Sequence, residues 1–263
     1  MPVLIRCPFH DDSTPSLAVY EDHAYCFGGC GRIPLESLGE FARERATLPR
    51  ESAPDQRWVR LLDLWHWNLV HGPMQWRQRF FLKRGISASM MQRYRLGHTG
   101  SWFVIPVWCE GRVLGVRYRR DDVFASEEDP KYRNPRGQGA LLFRPNPEGW
   151  PTVVTEGELD ALLLSDVGCD AVTMTTGAGN LRRIALERAS DPLFVATDQD
   201  EAGEEAWLAL VGRFRGRVYR WYWPEGKDVS EALSRLPRSA WGTWVRERIR
   251  EAMHAGCGLG ERR

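Results

Sequence analysis

The sequence predicts an α/β protein. A parallel sheet flanked by helices fills the C-terminal half, a mixed α+β subdomain rich in basic residues precedes it, and a small metal-binding module sits at the N-terminus. Three observations carry this reading. From residue 152 short apolar runs alternate with stretches of helical length, the rhythm of a parallel sheet with helices packed on it. Charge is segregated: residues 77–137 hold 13 Lys/Arg against 6 Asp/Glu, and residues 151–211 hold 3 Arg against 12 Asp/Glu. Three of the six cysteines crowd into the first 30 residues, a clustering that suggests metal rather than disulfides.

The 263 residues suffice for one or two cored domains at roughly 100–150 residues each. With 43% hydrophobic and 27% charged residues the chain can build a core and stay soluble. No apolar run reaches the roughly 18 residues of a membrane span. The start, Met1-Pro2-Val3-Leu4-Ile5-Arg6-Cys7, has no secretory pattern. A cytoplasmic location with reduced thiols is therefore expected. A basic part beside an acidic part suits a protein that holds a polyanion with one and metal ions with the other; two solvated surfaces of opposite sign are the plainer alternative.

Along the chain, residues 1–42 are turn-rich and carry the clustered cysteines. Residues 43–57, charged and bearing Pro49 and Pro54, read as a linker. Residues 58–150 form the basic subdomain. Within it residues 58–96 look helical, with Trp58, Leu61, Leu62, Trp65 and Leu69 at helical spacing. Trp102 to Trp108 and Val113 to Val116, joined through Glu110-Gly111, read as a hairpin. Residues 151–236 hold the alternating unit: strands at 152–155, 171–174, 193–197 and 217–223, helices at 159–166, 181–189 and 202–214. Residues 237–263 are a closing amphipathic helix and tail, with Trp241, Trp244, Val245, Ile249 and Ala252 on one face.

Cys7-Pro8-Phe9-His10 is one close ligand pair and Cys26-Phe27-Gly28-Gly29-Cys30 another. Two such pairs can bring four soft ligands to one tetrahedral Zn²⁺. His23 is an alternative fourth ligand; His10 is preferred because it pairs directly with Cys7. Cys109, Cys169 and Cys257 lie apart, with core packing the default for the first two. In the acidic half, Glu156-Gly157-Glu158-Leu159-Asp160 and Asp198-Gln199-Asp200-Glu201-Ala202-Gly203 each follow a strand. Carboxylates at the C-terminal ends of parallel strands converge on one crevice and suit Mg²⁺ (or Mn²⁺), a hard cation that also binds substrate phosphates. Gly157 and Gly203 allow the backbone to approach phosphate closely. Lys227-Asp228-Val229-Ser230-Glu231 is a third acidic motif. Taken singly, each of these also reads as a helix cap.

Cys7-Pro8-Phe9-His10, Ser13-Thr14-Pro15-Ser16-Leu17, Tyr25-Cys26-Phe27 and Cys30-Gly31 resemble the N-terminal zinc ribbon of DnaG-type bacterial and phage primases. The order and spacing of the acidic motifs resemble the toprim domain that those primases share with topoisomerases and some nucleases. Phe81 to Ile86, Tyr94 to Gly97, Gly111 to Arg117 and Lys131-Tyr132-Arg133-Asn134-Pro135 continue the resemblance in family order. It implies a zinc ribbon, a basic template-binding subdomain and a toprim catalytic sheet. The implied activity is synthesis of short RNA primers on single-stranded DNA from nucleoside triphosphates. By the same resemblance Glu156 assists proton transfer or orients a metal. Asp198 and Asp200 hold Mg²⁺, with Asp228 and Asp160 completing the site. Arg117, Arg119, Arg120 and Lys131 face template and nucleotide phosphates, Lys131 being favoured; a surface ion pair is the better reading of Arg93 and Arg112. Two departures stand out. Gly29 adds a third residue between the last two cysteines, and Ser230 stands where many primases carry a second Asp, making Glu231 a candidate further ligand. A toprim nuclease and a non-catalytic DNA-binding replication module are the alternatives. Of the twelve tryptophans, Trp65, Trp102, Trp241 and Trp244 sit on apolar faces and none is assigned to DNA, and a replicative helicase, where one is used, is expected on a separate chain. No membrane partner is expected.

Overall fold

The structure, a computed structural model, describes residues 3–5, 7, 16–20, 23–27, 30–34, 56–123, 130–175, 177, 181, 184, 189–214 and 217–255. His10, most of the 43–57 linker, most of the predicted 181–189 helix and the tail with Cys257 lie outside the described residues. The chain divides into two compact units, Met1–Ala53 and Pro54–Arg263.

In the first unit β1 (Val3–Ile5), β2 (Leu17–Val19), β3 (Ala24–Cys26) and β4 (Gly31–Ile33) form an antiparallel meander in sequence order. Its core cluster is Cys7, Leu17, Val19, Ala24, Cys26 and Ile33. So small a core calls for a further clasp such as a metal.

In the second unit α1 (Gln56–His71) buries Leu62 and Leu69. The predicted 58–96 helical region is broken. After α1 a helical run passes through a π segment, Arg77–Phe81, to Gly85 at φ 78°, and α2 (Ala88–Arg93) follows, capped by Ser87. Glycine supplies the left-handed stop that another residue adopts at a cost. The chain then enters an antiparallel sheet of β5 (Gly97–His98), β6 (Trp102–Cys109), β7 (Arg112–Arg120) and β8 (Tyr132–Arg133). The β6–β7 hairpin turns at Glu110-Gly111, both at positive φ, as a two-residue connection that follows strand twist requires.

The second sheet runs β13–β12–β10–β11–β9, with β9 Leu142–Phe143, β10 Thr152–Thr155, β11 Asp170–Met174, β12 Leu193–Ala196 and β13 Val218–Arg220. The first four in that order are parallel and β9 is antiparallel. β10, β11, β12 and β13 are buried at every position, as strands covered on both faces are. Helices α3 (Glu158–Asp166), α4 (Glu201–Arg213), α5 (Val229–Ser234) and α6 (Trp241–Ala255) complete the unit. β13 is shorter than the predicted 217–223: it ends at Arg220, Trp221 N–H still donates to Val195 O at 2.9 Å, and Trp221 and Trp223 bury their rings in the core beside Trp244. From β10 the chain reaches β11 on one side, then crosses to β12 on the other. That reversal opens a crevice at the carboxyl ends of β10 and β12.

One core cluster runs from Leu69, Phe81 and Met90 through Phe103, Leu162 and Phe194 to Trp241 and Ala252, so the antiparallel sheet and the parallel sheet share one interior. Of the four tryptophans placed on apolar faces, Trp102, Trp241 and Trp244 are buried and Trp65 is half-buried. No helix among the described residues is long and apolar enough to cross a membrane. The start of β11 is tied to β9's end by a buried bidentate ion pair, Arg144 Nε and Nη2 each 2.7 Å from Asp170; Thr152 Oγ1 donates to the same carboxylate. Asp170→Ala removes that bidentate partner from a buried guanidinium. Denaturant unfolding is expected to show a loss of about 3 kcal/mol, and a loss below about 1 kcal/mol would mean the pair is solvated.

Candidate active site and metal cluster

In the first unit the sulfur atoms of Cys7, Cys26 and Cys30 lie within 4.8 Å of one another, with Cys7 Sγ 3.8 Å from Cys30 Sγ. Desolvation and the neighbouring thiols push the Cys30 thiol up to about 11. Three thiols so placed can hold a metal ion, which would restore the thiolates. His23 stacks on Tyr20 in the β2–β3 connection and is not in the cluster. Cys26 pairs with Leu17 at the far end of that hairpin, roughly 10 Å along the strand from His23 at about 3.3 Å per residue.

In the second unit the crevice is built from loops that leave parallel strands. Glu156 follows β10 and Asp198 follows β12, adjacent strands paired Thr155 to Ala196. Asp228 caps α5, and its Oδ1 accepts from Glu231 N at 2.7 Å and from Ser230 Oγ at 2.9 Å. Asp160, in the first turn of α3, accepts from Ser230 N at 2.8 Å, so α3 and α5 are joined through the motif's own serine. A cavity of about 240 Å³ is lined by Glu156, Gly157, Glu158, Asp160, Asp198, Asp228 and Ser230 together with Arg84, Arg117, Lys131 and Tyr132.

The carboxylates crowd one another. Desolvation, then Asp198 and Asp200, raise Glu156. Desolvation and the Asp228 charge raise the buried Asp160 well above its ordinary range. Asp198 is raised by desolvation against the pull of Lys227. Glu156 Oε2 is buried and has no hydrogen-bond partner. Asp200 caps α4 through Gly203 N, and that bond, with Lys227, lowers its pKa. Lys227 Nζ sits 3.1 Å from Asp198 Oδ2 and 3.2 Å from Asp200 Oδ2, a cation where these carboxylates leave room for one. An orphaned carboxylate oxygen, mutual repulsion and a resident ammonium fit a divalent cation with oxygen ligands. Glu156, Asp198, Asp200 and Asp228 are the residues that could hold it; Asp200 does not line the cavity, and among the described residues only the three thiols already stand within 4.8 Å of one another. Gly203 is enforced by packing, since a Cβ there would lie 1.9 Å from the Asp198 carbonyl oxygen.

The other expected residues separate. Arg117 lines the cavity, 3.2 Å from Glu158 and over the Tyr132 ring. Arg119 is buried, packed over Phe80 and 3.4 Å from Asp122; Arg120 pairs with Asp122 at 3.0 Å. Neither lines the cavity. Lys131 does. Glu231 accepts from Lys227 N at 2.9 Å and from Arg235, so its carboxylate secures the loop. Arg93 pairs with Asp166.

Several contributors carried no sequence signal of their own. Arg84 and Tyr132 belong to the quoted blocks but point inward only through tertiary packing. Gln199 staples the two acidic loops: its N–H donates to Lys227 O at 3.1 Å, its amide donates to Trp223 O and Gly226 O, and its oxygen accepts from Trp223 N. The buried Arg220 donates to Thr197 O and Asp198 O, each at 2.9 Å, and fixes the backbone that carries Asp198.

The raised Asp160 gives a prediction with a definite sign. Between the ordinary carboxylate range and the raised folded value, the folded chain keeps a proton that the unfolded chain has lost. Stability therefore falls as pH rises through that window. Asn retains the acceptor for Ser230 N, so Asp160→Asn is expected to raise Tm at neutral pH in chelator and to change it little near pH 4. An unchanged or lower Tm at neutral pH would show that Asp160 ionises without cost.

Residues 153–233 match the family model described as Toprim-like. No curated protein matches the sequence. The zinc-binding and RNA polymerase domains of the Aquifex aeolicus primase superpose with a TM-score of 0.57 at 20% identity, over 97% of this chain and 78% of that one. A DnaG primase catalytic domain bound to ssDNA gives 0.53 at 20% identity over 75% and 80%. The primase fragment of the bacteriophage T7 primase-helicase protein gives 0.50 at 19% identity over 94% and 99%. The chain thus carries a Toprim-like domain at residues 153–233, within a fold shared with the DnaG-type primases.

Proposed function

We propose that the chain is a DNA primase, a template-directed polymerase that joins ribonucleotides into short primers on single-stranded DNA. One observation carries this reading: Glu156, Asp160, Asp198 and Asp228 line the same cavity as Arg84, Arg117 and Lys131. Such a cavity suits a polyphosphate held between cations and metal-binding carboxylates. The ssDNA-bound DnaG catalytic domain of the same fold supports a DNA template.

In the reaction a primer 3′-oxygen bonds to the α-phosphorus of the incoming triphosphate and pyrophosphate leaves. Asp198, Asp200, Asp228 and Glu156 would hold magnesium, which would activate the hydroxyl and neutralise phosphate charge. Glu156, raised by burial and its neighbours, is suited to receive the hydroxyl proton. Arg117 and Lys131, with Arg84, orient the triphosphate, and their contacts weaken with salt. Arg119 and Arg120 act on template phosphates only if their Asp122 contacts open. In the division we favour, residues 1–42 bind zinc through Cys7, Cys26, Cys30 and His10, residues 58–150 bind template, and residues 151–236 carry the chemistry.

Labelled ribonucleotides incubated with varied single-stranded DNA templates and Mg²⁺ test the assignment. The expected result is template-dependent short RNA, reduced at least about 100-fold in Asp198→Ala and in Glu156→Ala. Mg²⁺-dependent DNA cleavage without incorporation would favour a nuclease, and DNA binding with neither activity a non-catalytic module. For the first unit, elemental analysis is expected to find one zinc per chain. Cys26→Ser and His10→Ala lose it, and His23→Ala retains it; loss in His23→Ala alone would reverse the choice of fourth ligand.

A further inference from the structure

Lys227 is fixed along its backbone and exposed along its side chain. Its N–H donates to Glu231 at 2.9 Å and its carbonyl accepts from Gln199 N at 3.1 Å, so the loop cannot shift without breaking both acidic motifs' hydrogen bonds. Gln199 binds the same loop twice more, at Trp223 and Gly226. From this anchored position the ammonium reaches both Asp198 and Asp200. The side chain is nevertheless 60% exposed, so it can leave without unpacking anything. An ammonium and a divalent cation cannot share the same two carboxylate oxygens at such distances, because like charges there repel.

We propose that Lys227 is a built-in counter-cation that competes with divalent metal for the Asp198–Asp200 pair, and so sets metal affinity as a positioning residue. The inference rests on reading those aspartates as metal ligands. A polyphosphate entering the cavity offers the displaced ammonium a new anionic partner, which would couple metal binding to nucleotide binding. Between Asp198 and Asp200 the ammonium screens two carboxylates that would otherwise repel each other.

The test is Mn²⁺ binding to the full chain without nucleotide, read by paramagnetic resonance of the free ion. Two exposed ion pairs of ordinary strength correspond to about a tenfold change in affinity, so Lys227→Met and Lys227→Gln are expected to bind Mn²⁺ about tenfold more tightly than wild type. Lys227→Arg, which keeps the charge, is expected to stay near wild type. Circular dichroism confirms that each variant is folded; two substitutions guard against a failure of either one. Equal or weaker binding in the folded Met and Gln variants overturns the proposal while leaving the metal site intact. Binding that survives unchanged in Asp198→Ala overturns the metal assignment itself, and this inference with it.

Discussion

The structure depends on holding several carboxylates together in a place where they repel. Glu156, Asp160, Asp198 and Asp228 leave separate strands and helices yet line one cavity, and desolvation raises the first three. Nothing local favours that gathering. It is imposed by the reversal of strand order between β10 and β12 and by hydrogen bonds that fix each loop: Arg220 on the Asp198 carbonyl, Gln199 across to the Lys227 loop, Ser230 between Asp160 and Asp228. Four fully buried parallel strands behind the loops supply the rigidity to hold them.

The same frame explains how one residue serves two ends. Asp200 and Asp228 are helix N-caps as well as candidate metal ligands. A cap spends one carboxylate oxygen on backbone N–H groups and fixes the side chain's direction. The helix-cap reading of both motifs is realised, and under the proposed metal reading capping would preorganise the ligands. Gly203 belongs to the same device, because its missing Cβ lets α4 begin against the Asp198 carbonyl.

Much of the parallel sheet was legible because strands buried on both faces are continuous apolar runs and helices follow at regular intervals; β10, β11 and β12 fall within a residue or so of their expected bounds. β13 was overextended because Trp221 and Trp223 are as apolar as strand residues but pack against Trp244. The acidic lining was readable from motif order. The basic lining was not, since the direction of an arginine depends on strand alternation and on partners far away in sequence. Arg117 faces the cavity, whereas Arg119 and Arg120 meet Asp122. Lys227 was visible as part of a motif, but its reach to Asp198 depends on how the two loops are stapled. Likewise Glu231 turns to the Lys227 backbone because the α5 cap takes it there.

The most direct test of the carboxylate centre is a crystal of the full chain soaked in Mn²⁺ and measured at the manganese edge. An anomalous peak is expected among Glu156, Asp198 and Asp228. A peak elsewhere, or none at saturating Mn²⁺, would contradict it.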